Sequence, residues 1–152
     1  MKPADPNFAM AEMLIRKPAR DVFEAFANPE LTTKFWFTKS TGKIETGAKV
    51  DWTWEMYNHT VAVFVKKAIP NELISIEWGN YEETTTVEWT FKPINENETF
   101  VSIVNTGIKG NTEEIIAQVR DSTEGFTLVL AGLKAYLEHG IQLNLVGDRF
   151  PH

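Results

Sequence analysis

The chain has 152 residues, which is enough for one domain with a substantial buried core. Its formal net charge of −6 argues against nucleic acid as a partner, because phosphate binding requires a basic surface. The lack of cysteine excludes disulfides, thiolate zinc sites and cysteine nucleophiles, and it favours a cytoplasmic location.

Residues 1–7 are polar and proline-containing and predict a loose leader. This segment has no apolar core, so we do not expect a signal peptide. The longest apolar stretches, such as 61–65 and 128–131, are too short to cross a bilayer. We therefore expect a single domain over residues 1–152, with no membrane span and a cytoplasmic location.

The first predicted elements are a strand over residues 8–17 and two short helices. Apolar residues at helical spacing predict the first helix over residues 20–27. The second helix is predicted over residues 29–37, because Asn28 is a good cap and Pro29 suits the first helical position.

From residue 42 to residue 107 the sequence indicates one strand after another. Apolar and polar residues alternate most clearly around Trp52 and Trp54 and again around Trp89. Short turns separate the strands, so sequence neighbours must pair antiparallel. The sheet has seven predicted strands. The first covers residues 8–17, and a short second strand precedes the turn at 45–47. The other five cover residues 50–56, 59–68, 73–78, 84–91 and 100–106.

A long helix is predicted over residues 112–139, where apolar residues recur with the period of an α-helix. Gly125 costs about 1 kcal/mol relative to alanine there and marks a candidate break. A sheet that is apolar on one face must bury that face, and this helix is the large apolar surface available to cover it. The apolar tail, residues 140–152, is expected to fold back on its own domain or to form a dimer contact.

Three segments of the chain resemble a known family in order and spacing: residues 18–31 followed by the aromatic pair Phe35-Trp36, residues 68–78, and residues 124–138. They resemble the SRPBCC superfamily, which includes START-like lipid-transfer domains and Bet v 1-like birch-pollen allergens. Within it they are most similar to the AHSA-type branch, which contains the C-terminal domain of the activator of the heat-shock chaperone ATPase. Phe126 stands where this family often has tryptophan. The resemblance implies an α+β helix-grip fold, with a curved antiparallel sheet wrapped around the long C-terminal helix.

The same resemblance implies a cavity between sheet and helix that holds a small hydrophobic or amphipathic molecule. Several tryptophans lie on the apolar faces of their predicted strands, where they would form the apolar wall of such a cavity. Ordinary core filling explains the same pattern, because aromatic side chains dominate core energetics. The candidate ligand-binding residues share an inward placement and are Trp36, Trp52, Trp54, Val63, Ile76, Trp78, Trp89, Phe126 and Leu130.

Two other functions stay open at this point. One is a protein-interaction module with a chaperone as its partner, either as a monomer or as a homodimer. The other is a cyclase- or hydrolase-like enzyme that uses His59 at a pocket mouth as a general base. Glu12 or Glu77 would serve instead if a strand phase slipped by one residue and buried the carboxylate.

The sequence contains no motif for a cofactor. It has no P-loop, no dinucleotide-binding glycine pattern and no Gly-x-Ser-x-Gly elbow. No two histidines have the spacing of metal ligands. The adjacent pairs Glu82-Glu83 and Glu113-Glu114 point apart and do not form a catalytic dyad. We therefore expect neither a cofactor nor a metal.

Overall fold

The computed structural model describes residues 3–79 and 83–151. Met1 and Lys2 of the predicted leader, Glu82 of the adjacent acidic pair, and His152 lie outside these residues. The elements in chain order are β1 (Ala9–Ile15), α1 (Ala19–Ala27), α2 (Pro29–Thr32), β2 (Lys39–Ser40), β3 (Lys49–Trp54), a 3₁₀ turn (Glu55–Tyr57), β4 (His59–Ile69), β5 (Leu73–Trp78), β6 (Thr85–Asn95), β7 (Glu98–Thr106), α3 (Thr112–His139) and α4 (Leu145–Asp148).

The seven strands form one antiparallel sheet in the order β1-β7-β6-β5-β4-β3-β2. Strands β2 to β7 pair with their sequence neighbours, as the short turns require, and β1 pairs with β7. Register shifts occur between Val65 and Lys67 and between Pro93 and Asn95. Such bulges bend and twist a sheet. The curved sheet and α3 form the predicted helix-grip fold, which is confirmed.

The inner face of the sheet carries the hydrophobic core. Val50, Trp52 and Trp54 are buried in β3, and Val87 and Trp89 are buried in β6. The strand phases predicted for these two segments are therefore confirmed. Each fully buried side chain of this size contributes roughly 1.5–3 kcal/mol to stability. Side chains with this inward phase lie on the face of the sheet that α3 covers.

Helix α2 is shorter than predicted and ends at Thr32. Asn28 caps its first turn through its side-chain oxygen, as expected. The chain then turns, and Phe35, Trp36 and Phe37 are all buried. A regular helix cannot bury three successive side chains on one side, because they point about 100° apart. The turn after Thr32 thus brings Trp36 into the interior.

Helix α3 is continuous from Thr112 to His139, so the break considered at Gly125 is wrong. A single glycine costs only about 1 kcal/mol, which is too little to interrupt a long helix with both ends capped. Asn111 accepts a hydrogen bond from the Glu114 N–H at 2.9 Å in a capping box. Gly140 ends the helix in the left-handed region with φ 66°.

The distance between α3 and the other elements varies along the helix. A Cβ atom at Gly132 would lie 3.3 Å from Phe35 Cβ, so the two segments touch there. A Cβ atom at Gly125 would have nothing within 4 Å. Space therefore opens beside the middle of the helix.

A polar cluster fastens the C-terminal end of α3 to β1 and the residue that follows it. Lys134 Nζ donates to the Leu14 carbonyl at 2.8 Å and to Glu138 Oε2 at 2.7 Å. The same carboxylate oxygen accepts from the Arg16 backbone N–H at 2.9 Å. Burial acts to raise the pKa of Glu138, but the hydrogen bonds from Arg16 and Lys134, together with their charges, hold this pKa below its ordinary value.

The tail folds back on its own domain and forms α4 beside the 3₁₀ turn. The Tyr57 hydroxyl donates to the Val146 carbonyl and, at 3.2 Å, to the Gly147 carbonyl. Arg149 pairs with Glu124 of α3. Across the ranges 3–79 and 83–151, no helix combines the length and apolar character needed to span a membrane.

Candidate ligand cavity

A cavity of about 530 Å³ lies between the sheet and the middle of α3. Residues of β3 to β7, α3 and the tail border it. Its volume falls within the range of small-molecule sites, roughly 300–1,000 Å³. The cavity lies beside the open position at Gly125, whereas the C-terminal end of α3 is hydrogen-bonded to β1.

Four aromatic side chains form the apolar wall of the cavity: Trp36, Trp54, Trp78 and Phe126. The Trp36 ring centroid lies 5.8 Å from that of Phe126 and 6.1 Å from those of Trp54 and Trp78. Trp78 stacks on Phe126 at 5.8 Å with an interplanar angle of 28°. All four are among the candidate ligand-binding residues, and the fold brings them together.

The other five candidates do not border the cavity but lie in the core around it. Trp52 and Trp89 contact Trp36, with ring centroids 5.0 and 6.0 Å from that of Trp36, and so support the wall. Their Nε1 atoms are buried and find no hydrogen-bond partner in the described part of the chain. Val63, Ile76 and Leu130 are fully or almost fully buried.

A hydrogen-bonded network of polar side chains borders the cavity, and two of its members, Thr85 and Asn105, are buried. Asn105 Nδ2 donates to Thr85 Oγ1 and to the Thr86 carbonyl, both at 2.9 Å. Ser122 Oγ of α3 donates to Asn105 Oδ1 at 2.9 Å. Trp78 Nε1 donates to Thr85 Oγ1 at 3.2 Å. The network links the helix to the sheet where they stand apart.

Sequence reasoning missed this network, although one signal was present. In β7 the alternation of Val101 and Ile103 continues to Asn105, which places an amide on the inner face of the sheet. A buried polar residue in such a position needs partners, and its partners come from β6 and α3. The alternation of Val87 and Trp89 in β6 places Thr85 on the same inner face, whereas Ser122 carries no pattern that identifies it in the sequence.

The rim of the cavity is exposed and mainly acidic. It contains Glu83, Asp121 and Glu124, together with Arg149 and His59. Arg149 Nη2 donates to Glu124 Oε2 at 3.2 Å, and the hydrogen bonding with this carboxylate raises the pKa of Arg149. Arg149 thus neutralises one of the three carboxylates, and the net charge of the rim remains negative.

The proposed catalytic alternatives have different positions. His59 borders the cavity at its rim, with its ring 6.0 Å from that of Trp54. Glu12 is exposed, and Glu77 pairs with Lys66 at 3.4 Å on the outer face of the sheet. The strand phases did not slip, so neither carboxylate enters the cavity. Within the described residues, no three potential metal ligands cluster.

A profile of the family described as "Activator of Hsp90 ATPase homolog 1-like protein" matches residues 16–138. This range runs from the end of β1 almost to the end of α3 and covers well over half of the sequence. The chain belongs to this family. Among curated proteins, none matches this AHSA1-like chain.

Several solved structures share the fold of the AHSA1-like chain. Protein SSP2350 from Staphylococcus saprophyticus is 27% identical, with a TM-score of 0.77 over 90% of this chain and 95% of that one. The Aha1 dimer from Colwellia psychrerythraea is 18% identical, with a TM-score of 0.74 over 88% and 97%. An Hsp90 activator from Plasmodium falciparum is 15% identical, with a TM-score of 0.68 over 86% and 96%. The predicted AHSA-type branch of the Bet v 1-like superfamily is thereby confirmed.

The tail of this AHSA1-like chain lies beyond the matched residues and closes one side of the cavity. Val146, Arg149 and Phe150 border the space. The Phe150 ring lies 6.1 Å from the Tyr57 ring, and the Arg149 guanidinium lies 4.3 Å from the Phe150 centroid. The tail therefore contributes both apolar surface and charge to the rim.

Proposed function

We propose that this AHSA1-like protein binds a small hydrophobic or amphipathic molecule in the cavity between the sheet and α3. The observation that carries the proposal is a space of about 530 Å³ bordered by aromatic side chains and by a hydrogen-bonded polar network. A ligand that enters removes its own apolar surface and that of the wall from water. This transfer is worth roughly 25 cal/mol for each Å² buried.

Core packing alone does not account for this space. Protein interiors are close-packed, and unfilled space next to apolar side chains costs stability. Gly125 borders the cavity, and nothing lies within 4 Å of a Cβ atom built there. Replacing Gly125 by alanine would stabilise the helix by about 1 kcal/mol, because alanine has the higher helix propensity. An open position of this kind supports a cavity kept free for a ligand.

Thermal unfolding in the presence of fatty acids, aromatics, polyketides and isoprenoids tests the proposal. A ligand at 100 times its dissociation constant stabilises the folded state by about 2.7 kcal/mol. For a chain of this size the unfolding midpoint then rises by roughly 5–11 °C. A panel without any such shift contradicts the proposal.

A blocked variant shows whether a ligand occupies this cavity. Gly125→Leu places a side chain in the open space, so we expect it to fold and to lose the ligand-induced shift. Thr127→Leu is the matched control, because Thr127 is exposed on the same helix and does not border the cavity. A ligand that stabilises Gly125→Leu as much as the wild type binds elsewhere.

A second candidate function is a protein-interaction module with a chaperone as its partner. The family match and the similarity to an Hsp90 activator from Plasmodium falciparum favour it. The exposed side chains of Ile116, Ile141 and Leu143 supply apolar contact surface. Stimulation of the ATPase of purified Hsp90 is the expected result, and absence of both binding and stimulation contradicts it.

The oligomeric state and the cellular location are proposals as well. One of the similar structures is of a dimer, which favours a homodimer over a monomer. Sedimentation velocity at increasing protein concentration separates the two states. We propose a cytoplasmic location, which fractionation of cells with an antibody against the chain tests.

A further inference from the structure

The side chains of Thr85, Asn105 and Ser122, here called the polar clamp, border the cavity. We propose that the ligand is an uncharged aromatic molecule with a hydroxyl group, and that the polar clamp binds this hydroxyl. The inference rests on the proposed ligand binding and adds the chemistry of the ligand and the residues that select it.

The orientation of Asn105 fixes the hydrogen bonding of the clamp. Its amide contacts the Thr86 carbonyl at 2.9 Å, and a carbonyl can only accept a hydrogen bond. The atom that faces this carbonyl is therefore the amide nitrogen. Both amide hydrogens are then used, one by the Thr86 carbonyl and one by Thr85 Oγ1.

Thr85 keeps one unused donor. Its oxygen accepts from Asn105 Nδ2 at 2.9 Å and from Trp78 Nε1 at 3.2 Å, which occupies both lone pairs. The hydroxyl hydrogen of Thr85 has no acceptor in the described part of the chain, although the residue is only 8% exposed. A buried donor without a partner costs free energy, and an oxygen atom of a ligand would satisfy it.

Ser122 and Asn105 supply only acceptors to a ligand. The Ser122 hydroxyl hydrogen is used by Asn105 Oδ1 at 2.9 Å, so the serine oxygen keeps its lone pairs. Asn105 Oδ1 accepts this single hydrogen bond and has room for a second. The clamp thus presents one donor and several acceptors.

A neutral hydroxyl matches this arrangement, because it accepts one hydrogen bond and donates another. It would accept from Thr85 and donate to Ser122. A carboxylate can only accept, so it would face the lone pairs of Ser122 and Asn105 without a hydrogen to share. Burying its charge next to apolar rings adds a further cost.

The remaining surfaces of the cavity favour the same chemistry. The rim carries Glu83, Asp121 and Glu124 against Arg149, and like charges disfavour an anion that passes through it. The wall consists of the rings of Trp36, Trp54, Trp78 and Phe126. Aromatic rings pack favourably in stacked and edge-to-face arrangements, so a planar aromatic body fits this wall.

Four naphthalene compounds of similar size test the proposal by fluorescence titration: 2-naphthol, 2-methoxynaphthalene, naphthalene and 2-naphthoate. We expect 2-naphthol to bind roughly five- to tenfold more tightly than naphthalene, which is the gain of one or two hydrogen bonds. The methoxy compound, which only accepts, should fall between them, and 2-naphthoate should bind most weakly.

Variants of the clamp assign the preference to its residues. Ser122→Ala should reduce the affinity for 2-naphthol to that for 2-methoxynaphthalene, because the ligand hydroxyl loses its acceptor. Thr85→Val should remove the advantage of 2-methoxynaphthalene over naphthalene and reduce that of 2-naphthol to the single hydrogen bond to Ser122, and Thr85→Ser should retain both. Thr127→Ala is the control on the exposed side of α3. Ser122 is half-buried at the helix surface, so its variant keeps the test decisive if Thr85→Val does not fold.

The outcomes separate this inference from the proposed function. Equal affinity for 2-naphthol and naphthalene, or tightest binding of 2-naphthoate, overturns the hydroxyl assignment while the cavity still binds ligand. If a compound from the broad panel binds and none of the naphthalenes does, the hydroxyl assignment is likewise overturned, and the cavity still binds a ligand. If neither the naphthalenes nor the broad panel bind, the proposed function itself fails.

Discussion

Two glycines on α3, Gly125 and Gly132, lie two helical turns apart and have different surroundings. A Cβ atom at Gly125 meets open space, whereas at Gly132 it would lie 3.3 Å from Phe35 Cβ and 3.4 Å from the Phe35 carbonyl oxygen. We expect Gly125→Ala to raise the free energy of unfolding by up to about 1 kcal/mol, the gain in helix propensity.

Gly132→Ala makes the same change in propensity but crowds Phe35. Crowding of a packed contact costs about 1–3 kcal/mol, so this variant should be clearly less stable than Gly125→Ala. Urea unfolding of both variants measures the difference. Equal stabilisation by the two alanines would contradict the open space at Gly125.

The unpaired indole nitrogen of Trp89 gives a second prediction for a single residue. Trp89 is 1% exposed, and its Nε1 lacks a partner in residues 3–79 and 83–151. Trp89→Phe loses packing but also removes a buried donor whose desolvation costs about 1–3 kcal/mol. We expect the two effects to offset within about 1 kcal/mol, whereas Trp89→Ala should cost about 3–5 kcal/mol. A loss for Trp89→Phe as large as that for alanine would contradict this account.

At the scale of elements, the cluster of Lys134, Glu138 and Arg16 joins the C-terminal end of α3 to β1 and the residue after it. The Glu138 side chain is 8% exposed and accepts from both partners. Its lowered pKa in the folded state means that the ionised form stabilises the fold. This contribution is present in full above the ordinary value of 4.5 and is lost as the pH falls through the folded-state pKa.

Glu138→Gln should therefore lower stability at neutral pH and have little effect in acid. Urea unfolding between pH 7 and pH 3 measures the difference from the wild type at each pH. Glu96→Gln, in the exposed turn between β6 and β7, is the control and should leave the pH dependence unchanged. A loss for Glu138→Gln that is the same at every pH would show that packing, rather than charge, anchors the helix.

At the scale of the whole molecule, the fold follows from local patterns that the sequence displays. The period of α3 and its capping residues Asn111 and Gly140 define both ends of the helix. The alternation around Trp52 and Trp54 gives the inward face of β3. The end of α2 was missed because the burial of Phe35 to Phe37 depends on tertiary contacts that outweigh helix propensity.

The cavity follows less directly from sequence. Trp78 and Trp89 both lie on the inward face of their strands, but Trp78 borders the cavity and Trp89 lies in the core. The difference depends on where α3 stands away from the curved sheet, and no local pattern encodes that distance. The polar clamp was missed for the same reason, since Thr85 and Ser122 become hydrogen-bond partners of Asn105 only through the fold.

The central claim, that a ligand occupies the cavity, is tested most directly through the five tryptophans of the chain. Each indole N–H gives one NMR signal, which can be assigned with single Trp→Phe variants and followed while a compound from the panel is added. The account predicts the largest shifts for the cavity residues Trp36, Trp54 and Trp78, and smaller shifts for Trp52 and Trp89 in the core. Binding that leaves the three cavity signals unmoved would contradict it.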